Sequence, residues 1–224
     1  MATKVINNNK MSAFTSLVCR GDATKIKEYL EDSENEIEDR QIFINERDKS
    51  GKNALDFAAM LGREDAIRIL IECGADPNYC TKTGYTVLHR AASWGHLHCI
   101  KMLVNCGVDL QVTNVHGERA REAAARYGKQ DCVDFLDRAE AIAALREAIQ
   151  DIKSTMTDPE KNLGRLNKED KLTGNKLCDE KNTWLMANKD TASVELIFKK
   201  KDELYEALHY IFLKLEDLDV EKKR

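Results

Sequence analysis

Three series of glycines share one spacing: Gly51, Gly84 and Gly117, then Gly62, Gly95 and Gly128, then Gly74 and Gly107 all stand 33 residues apart. Apolar positions keep the same register. Ala58 and Ala59 repeat as Ala91 and Ala92 and as Ala124 and Ala125; Ile67 repeats as Ile100 and Val133; Leu70 repeats as Leu103 and Leu136. A fixed period of this length marks one supersecondary unit stacked on copies of itself. Each unit reads as a turn, a short helix, a second helix and another turn. Gly51, Gly84 and Gly117 fall in a tight turn where positive φ is cheap, and Thr86 caps the helix that follows. Gly62, Gly95 and Gly128 close the first helix. The second presents Ile67, Leu70 and their counterparts at i, i+3 spacing to a core and ends at Gly74 and Gly107.

The pattern Gly84, Thr86, Leu88, His89, Ala91, Ala92, Gly95 and His96, with Asp76 and Asn78 one unit earlier, resembles the ankyrin-repeat family. The resemblance implies an ankyrin-repeat solenoid, and the fold expected of the chain is all-α, that solenoid followed by a small helical bundle. Residues 47–79 and 80–112 are clear copies. Residues 113 to about 138 are degenerate, with Arg119 and Arg121 in place of Thr and Leu, which puts the cap of that copy in doubt. Upstream, "MSAFTSLVCRGDATKIKEYL" sets Phe14, Gly21, Ile26 and Tyr29 in matching order before the polar insert "EDSENEIEDR", and Asn45 restores the register. The expected organisation is a flexible N-terminus at 1–10, about four repeats over 11–138, and a three-helix bundle over 139–224. By the same resemblance His89 is structural, its ring hydrogen-bonding the turn backbone, and no catalytic residue is expected. His96 and His98, two apart at a helix start, cannot chelate from one face.

In an ankyrin array the turn tips and one side of each first helix line a concave groove. The candidate partner-binding residues are Lys49, Lys52, Met60, Leu61, Lys82, Tyr85, Arg90, Trp94, His116, Arg126 and Tyr127. Aromatic and Met side chains at such positions suit interface anchors. The alternative is that some of them pack against the N-terminal insert or the C-terminal region of the same chain. Both readings place the cluster on one face.

Beyond Asp137 the period stops. Ile142, Leu145, Ile149, Ile152 and Met156 step by three and four, and "TDPEKNLG" interrupts them with Pro159 and Gly164. A second helix starts at Asn167, with Asp170 three positions on, and carries Leu172, Leu177, Trp184 and Leu185. A third carries Val194, Ile197, Phe198, Leu204, Leu208, Ile211, Phe212, Leu215 and Leu218. Three such helices bury their stripes as a bundle. In the order of "NKED", "TWL" and "KKKDEL", this tail is similar to the C-terminal helical lid of the seventy-kilodalton heat-shock chaperones. The nucleotide-binding domain that drives those chaperones has no counterpart upstream, so their activity does not carry over. Repeats joined to such a tail, through "GYTVLHRAASWG", "ERAREAAARYGKQDCVDFLD" and "KNTWL", resemble an ankyrin-repeat family associated with cilia and dividing cells. This resemblance implies a protein-binding scaffold in a ciliary, axonemal or other cytoskeletal assembly. An adaptor of chaperone or client complexes, acting through the lid-like bundle, is the alternative.

The remaining function classes are limited by composition. A net charge of -4 removes the footprint of a general nucleic-acid binder. In the tail, 14 Lys and Arg balance 15 Asp and Glu over residues 157–224, so "KKKD" and "EKKR" read as solvated helix faces. There is no apolar run of membrane-spanning length, and "MATKVINNNK" lacks the core of a secretory signal, which predicts a cytoplasmic protein. The 7 cysteines are odd in number and follow the repeat period, Cys73 with Cys106 and Cys99 with Cys132, so reduced thiols are expected and metal sites are not. No phosphate loop, nucleophile elbow or paired-ligand motif occurs, and the expectation is no enzyme, no cofactor and no small-molecule substrate.

Overall fold

The computed structural model describes residues 12–31, 37–162 and 164–216, and divides the chain into two compact units, Met1–Leu136 and Asp137–Arg224. The segment 1–10 and Leu218 lie outside the described residues. Among those residues the structure is helical, with one isolated bridge between Cys80 and Thr86.

In the first unit the helices come in pairs. α1 (Ala13–Arg20) and α2 (Ala23–Glu31) form the first. α3 (Ile37–Asn45) starts within the polar insert and runs past its end, where no period predicts a helix. α4 (Ala54–Met60) and α5 (Glu64–Glu72) form the second pair, α6 (Val87–Trp94) and α7 (Leu97–Asn105) the third. α8 (Ala120–Arg126) pairs with the start of α9 (Gln130–Thr157). The periodic apolar positions form the core: Ile67, Leu70, Ile100 and Leu103 are wholly buried, each contributing roughly 1.5–3 kcal/mol. Small side chains let the first helices approach. Ala58, Ala59, Ala91 and Ala92 are fully buried, but in the last repeat the burial shifts to Ala123 and Ala124 while Ala125 is exposed.

Capping follows the sequence repeat by repeat. The Asn53 side chain accepts the Asp56 N–H, and Asp56 in turn accepts the Asn53 N–H, at 3.0 and 3.1 Å. Thr86 does the same for α6 with His89 as its partner. At α8 the doubted cap survives by half. Arginine has no acceptor, so no side chain receives the Glu122 N–H, yet the Glu122 carboxylate still accepts the Arg119 N–H at 2.9 Å. The guanidinium of Arg119 also grips that carboxylate, at 2.6 Å.

Glycine at the end of the first helix answers a packing demand as well as a backbone one. A Cβ on Gly62 would lie 2.6 Å from His96, and one on Gly95 would lie 2.8 Å from Lys129. Each glycine is thus roofed by the side chain that starts the second helix of the next repeat.

The second unit contains the rest of α9, the short α10 (Pro159–Asn162), α11 (Lys168–Asn188) and α12 (Val194–Glu216). Asn167 caps α11 reciprocally with Asp170, and Lys214 on α12 binds that carboxylate at 2.7 Å. The core joins Leu145, Ile149, Ile152 and Met156 to Cys178 and Leu185 and to Ile197, Leu204, Leu208 and Ile211. Mid-helix Gly174 lets α9 come close, since a Cβ there would meet Met156 Sδ at 2.7 Å. Two sequence expectations are corrected. Leu172 is exposed because α11 buries Asp170, Gly174 and Cys178, and two residues along a helix turn a side chain by about 200°. Phe198, one step from the inward Ile197, is likewise largely exposed.

Candidate functional site

Each turn is built on one residue whose side-chain oxygen takes up neighbouring backbone donors. Asp48 Oδ1 accepts the Ser50 and Lys52 N–H groups, both at 2.8 Å. Thr81 Oγ1 accepts Tyr85 N–H at 3.1 Å, and Asn114 Oδ1 accepts His116 and Glu118 N–H at 2.8 and 3.1 Å. These three positions are themselves 33 apart. The residue types differ, so a search for identical residues passes over them, but a search for a short side chain with an acceptor oxygen would find them. The turns are also linked to one another, as Val115 N–H donates to Thr83 O at 3.1 Å.

His89 seals the next turn. Thr86 N–H donates to Nδ1 at 3.2 Å, which makes Nδ1 an acceptor and leaves the proton on Nε2, and Nε2–H donates to Glu118 O at 2.9 Å. Burial holds the ring below the ordinary histidine range. Both nitrogens are thereby spent on scaffold bonds. His96 Nε2–H donates to Met60 O at 3.0 Å, tying α7 to the end of α4.

On the face formed by turns and first helices, Tyr85, Arg90 and Arg126 are brought together. The Arg90 guanidinium lies over the Tyr85 ring at 4.5 Å, and Arg126 donates to Tyr85 Oη at 3.2 Å while pairing with Glu118 at 3.1 Å. Tyr85 also meets His89 edge-on, with ring centroids 5.6 Å apart, so it is half-buried rather than presented to solvent. Beneath Arg90 lies Asp56, a residue the sequence reading did not single out. Burial pushes its carboxyl above the usual carboxylate range, against the opposing pull of Asn53 N–H and Arg90. Farther along the first helices, Leu61, Trp94 and Tyr127 are 45, 57 and 55% exposed, and Met60 is half-buried. At the tips Lys49, Lys82 and His116 are exposed and Lys52 is half-buried.

Among the described residues no three His, Cys, Asp or Glu side chains gather to hold a metal ion. No disulfide links the 7 cysteines, and burial raises the Cys99 and Cys178 thiols to about 11, far from thiolate reactivity at neutral pH. No helix of the described residues is long and apolar enough to cross a membrane.

Comparison with known proteins agrees with this architecture. A family model described as ankyrin repeats (many copies) matches residues 55–104. Ankyrin repeat domain-containing protein 45 of Homo sapiens is 39% identical over 196 residues, covering 87% of this chain and 73% of that protein. The Mus musculus protein of the same name is 48% identical over 196 residues, with 87% of this chain and 79% of its own length covered. A third, from Danio rerio, is 40% identical over 82 residues, 37% of this chain and 36% of that protein.

Proposed function

The chain belongs to the family of ankyrin repeat domain-containing protein 45, and from that membership we propose that it is a non-enzymatic scaffold whose turn tips and first helices grip another protein. The single observation that supports this reading is the row of Leu61, Trp94 and Tyr127, large apolar side chains left 45 to 57% exposed at equivalent points of successive repeats. Exposed apolar groups in a row are costly in water unless a partner covers them, and Trp and Tyr are the residues that anchor such contacts. The assembly served is a ciliary or other cytoskeletal one, as the family resemblance implies.

Replacing Trp94 by Ala tests the reading. Helix content by circular dichroism stays unchanged, while the anchor's loss weakens the partner by roughly 2 kcal/mol. In proximity labelling of ciliated cells, a defined set of cytoskeletal or ciliary proteins should disappear from the Trp94→Ala sample. An identical labelled set for both proteins would overturn the proposal. Chaperones in that set that depend on residues 139–218 would favour an adaptor role for the bundle instead.

A further inference from the structure

Between Arg47 and Leu136 charge is divided by face. The turns and first helices (47–60, 80–94 and 113–127) carry eight Lys and Arg against four Asp and Glu. The second helices and their loops (61–79, 95–112 and 128–136) carry four against seven. A chain of net charge -4 thus turns a basic side toward its groove. The four acids on that side are engaged locally. Asp48 holds its turn, Asp56 is buried in the α4 cap, Glu118 pairs with Arg126, and Glu122 pairs with Arg119.

Arg90 stands out among the basic groups. Its Nε is buried and makes no hydrogen bond among the described residues, and the nearest carboxylate oxygen, Asp56 Oδ1, is 3.9 Å away, beyond hydrogen-bond reach. The side chain is only 18% exposed, and the Tyr85 ring holds the guanidinium from one side. With Nε sealed inside, the edge that a partner meets is the pair of Nη groups, and a stacked guanidinium offers a planar carboxylate two parallel N–H bonds from them. Trp94 follows four residues later on α6, hence on the same face and one turn along.

We propose that this face reads an acidic segment of a partner protein, with an Asp or Glu carboxylate received by Arg90, Lys52, Lys82 and Arg126 around it, and a neighbouring apolar side chain set against Trp94. The proposal rests on the protein-binding reading above and narrows its partner to one chemistry. Charge complementarity selects the occupant. A long nucleic acid would also meet the acidic second helices and the acidic chain as a whole, whereas a short carboxylate-bearing segment meets only the basic side.

The experiment pans a library of random displayed peptides against the full-length protein. The strongest binder is then titrated, alongside its Glu→Gln and Asp→Asn counterpart and an oligothymidine, against wild type, Arg90→Gln and Trp94→Ala. Circular dichroism confirms that both variants are folded. The expected peptides combine Asp or Glu with an aromatic or aliphatic residue. Their affinity should fall at least about tenfold in the neutralised peptide and in Arg90→Gln, and should weaken with added salt. Arg90→Lys, which keeps the charge and loses the planar fork, should recover part of it. Neutral or basic peptides that depend on Trp94 but not on Arg90 would sink this inference and leave the protein-binding face standing. Peptides indifferent to both substitutions would sink both. Tighter, Arg90-dependent binding of the oligothymidine would replace the acidic protein by a nucleic acid.

Discussion

A methyl group at Gly62 would stand 2.6 Å from His96 Nδ1, whereas the same group at Gly128 would meet nothing within 4 Å. Both residues have positive φ, 66° and 65°, so alanine at either pays the left-handed penalty of about 1–2 kcal/mol. Only at Gly62 must a neighbour also move, and that neighbour, His96, donates to Met60 O. Gly62→Ala should therefore lower the urea-unfolding free energy by about 1 kcal/mol or more beyond Gly128→Ala. Equal losses would show that the glycines serve backbone conformation alone. The same contrast explains a limit of reading residues from sequence. The 33-residue spacing marks Gly62 and Gly128 as equivalent, and their backbones are equivalent. Their surroundings are not, because the roof over each glycine comes from a repeat further along, and the period stops before it could supply one for Gly128.

Helix α6 shows how an element can hold its own cap and its neighbour's turn with one side chain. His89 accepts Thr86 N–H at one end of the ring and donates to Glu118 O at the other, an arrangement that needs the neutral ring. Its folded-state pKa is lowered from 6.5 by burial. As pH falls through 6.5 the unfolded chain takes up a proton that the folded ring refuses, so stability declines until the depressed folded value is reached. Urea midpoints of wild type should drop more between pH 7.5 and 5.5 than those of His89→Gln, and parallel curves would refute a buried neutral ring. The ankyrin resemblance implied that the His89 ring bonds the turn backbone, though not that Glu118 receives its far nitrogen, and the helix pairs were legible because periodicity encodes which faces are buried. α3 was not legible, since the insert interrupts the period that reveals its neighbours. The tail's first helix also begins before the period stops: the repeat ends near Asp137, but the backbone bonds of α9 run from Gln130 to Thr157. On the candidate face, register located Tyr85, Trp94 and Arg126. The stacking of Arg90 on Tyr85 above Asp56 depends on side-chain paths between repeats, which no single-sequence spacing contains.

For the whole molecule, "TDPEKNLG" breaks the tail's first apolar stripe with Pro159 and Gly164, the kind of stretch a protease enters, and the structure argues against cleavage there. The division between units falls at Leu136 and Asp137, inside α9, while Pro159 belongs to the second unit. The segment around it is tied down from several sides. Asn162 is wholly buried and donates to Thr155 O at 3.3 Å, Gly164 N–H bonds the Asn162 side chain at 3.0 Å, Lys161 reaches Ser154 at 2.7 Å, and Arg165 donates to Leu215 O on α12. A protease needs several residues of extended backbone, and those bonds must break before any are offered. Limited tryptic digestion followed by mass spectrometry should therefore show no early cut at Lys161 or Arg165 and no stable fragment ending there. Leu208→Ala removes a fully buried side chain from the same core and should cost about 2–5 kcal/mol. Under identical digestion that variant should open both sites, because the segment is held by the fold of the second unit and has no protection of its own. Early cleavage of wild type at either residue would mean that the segment is a linker after all, and that the bonds around Asn162 contribute little to holding it.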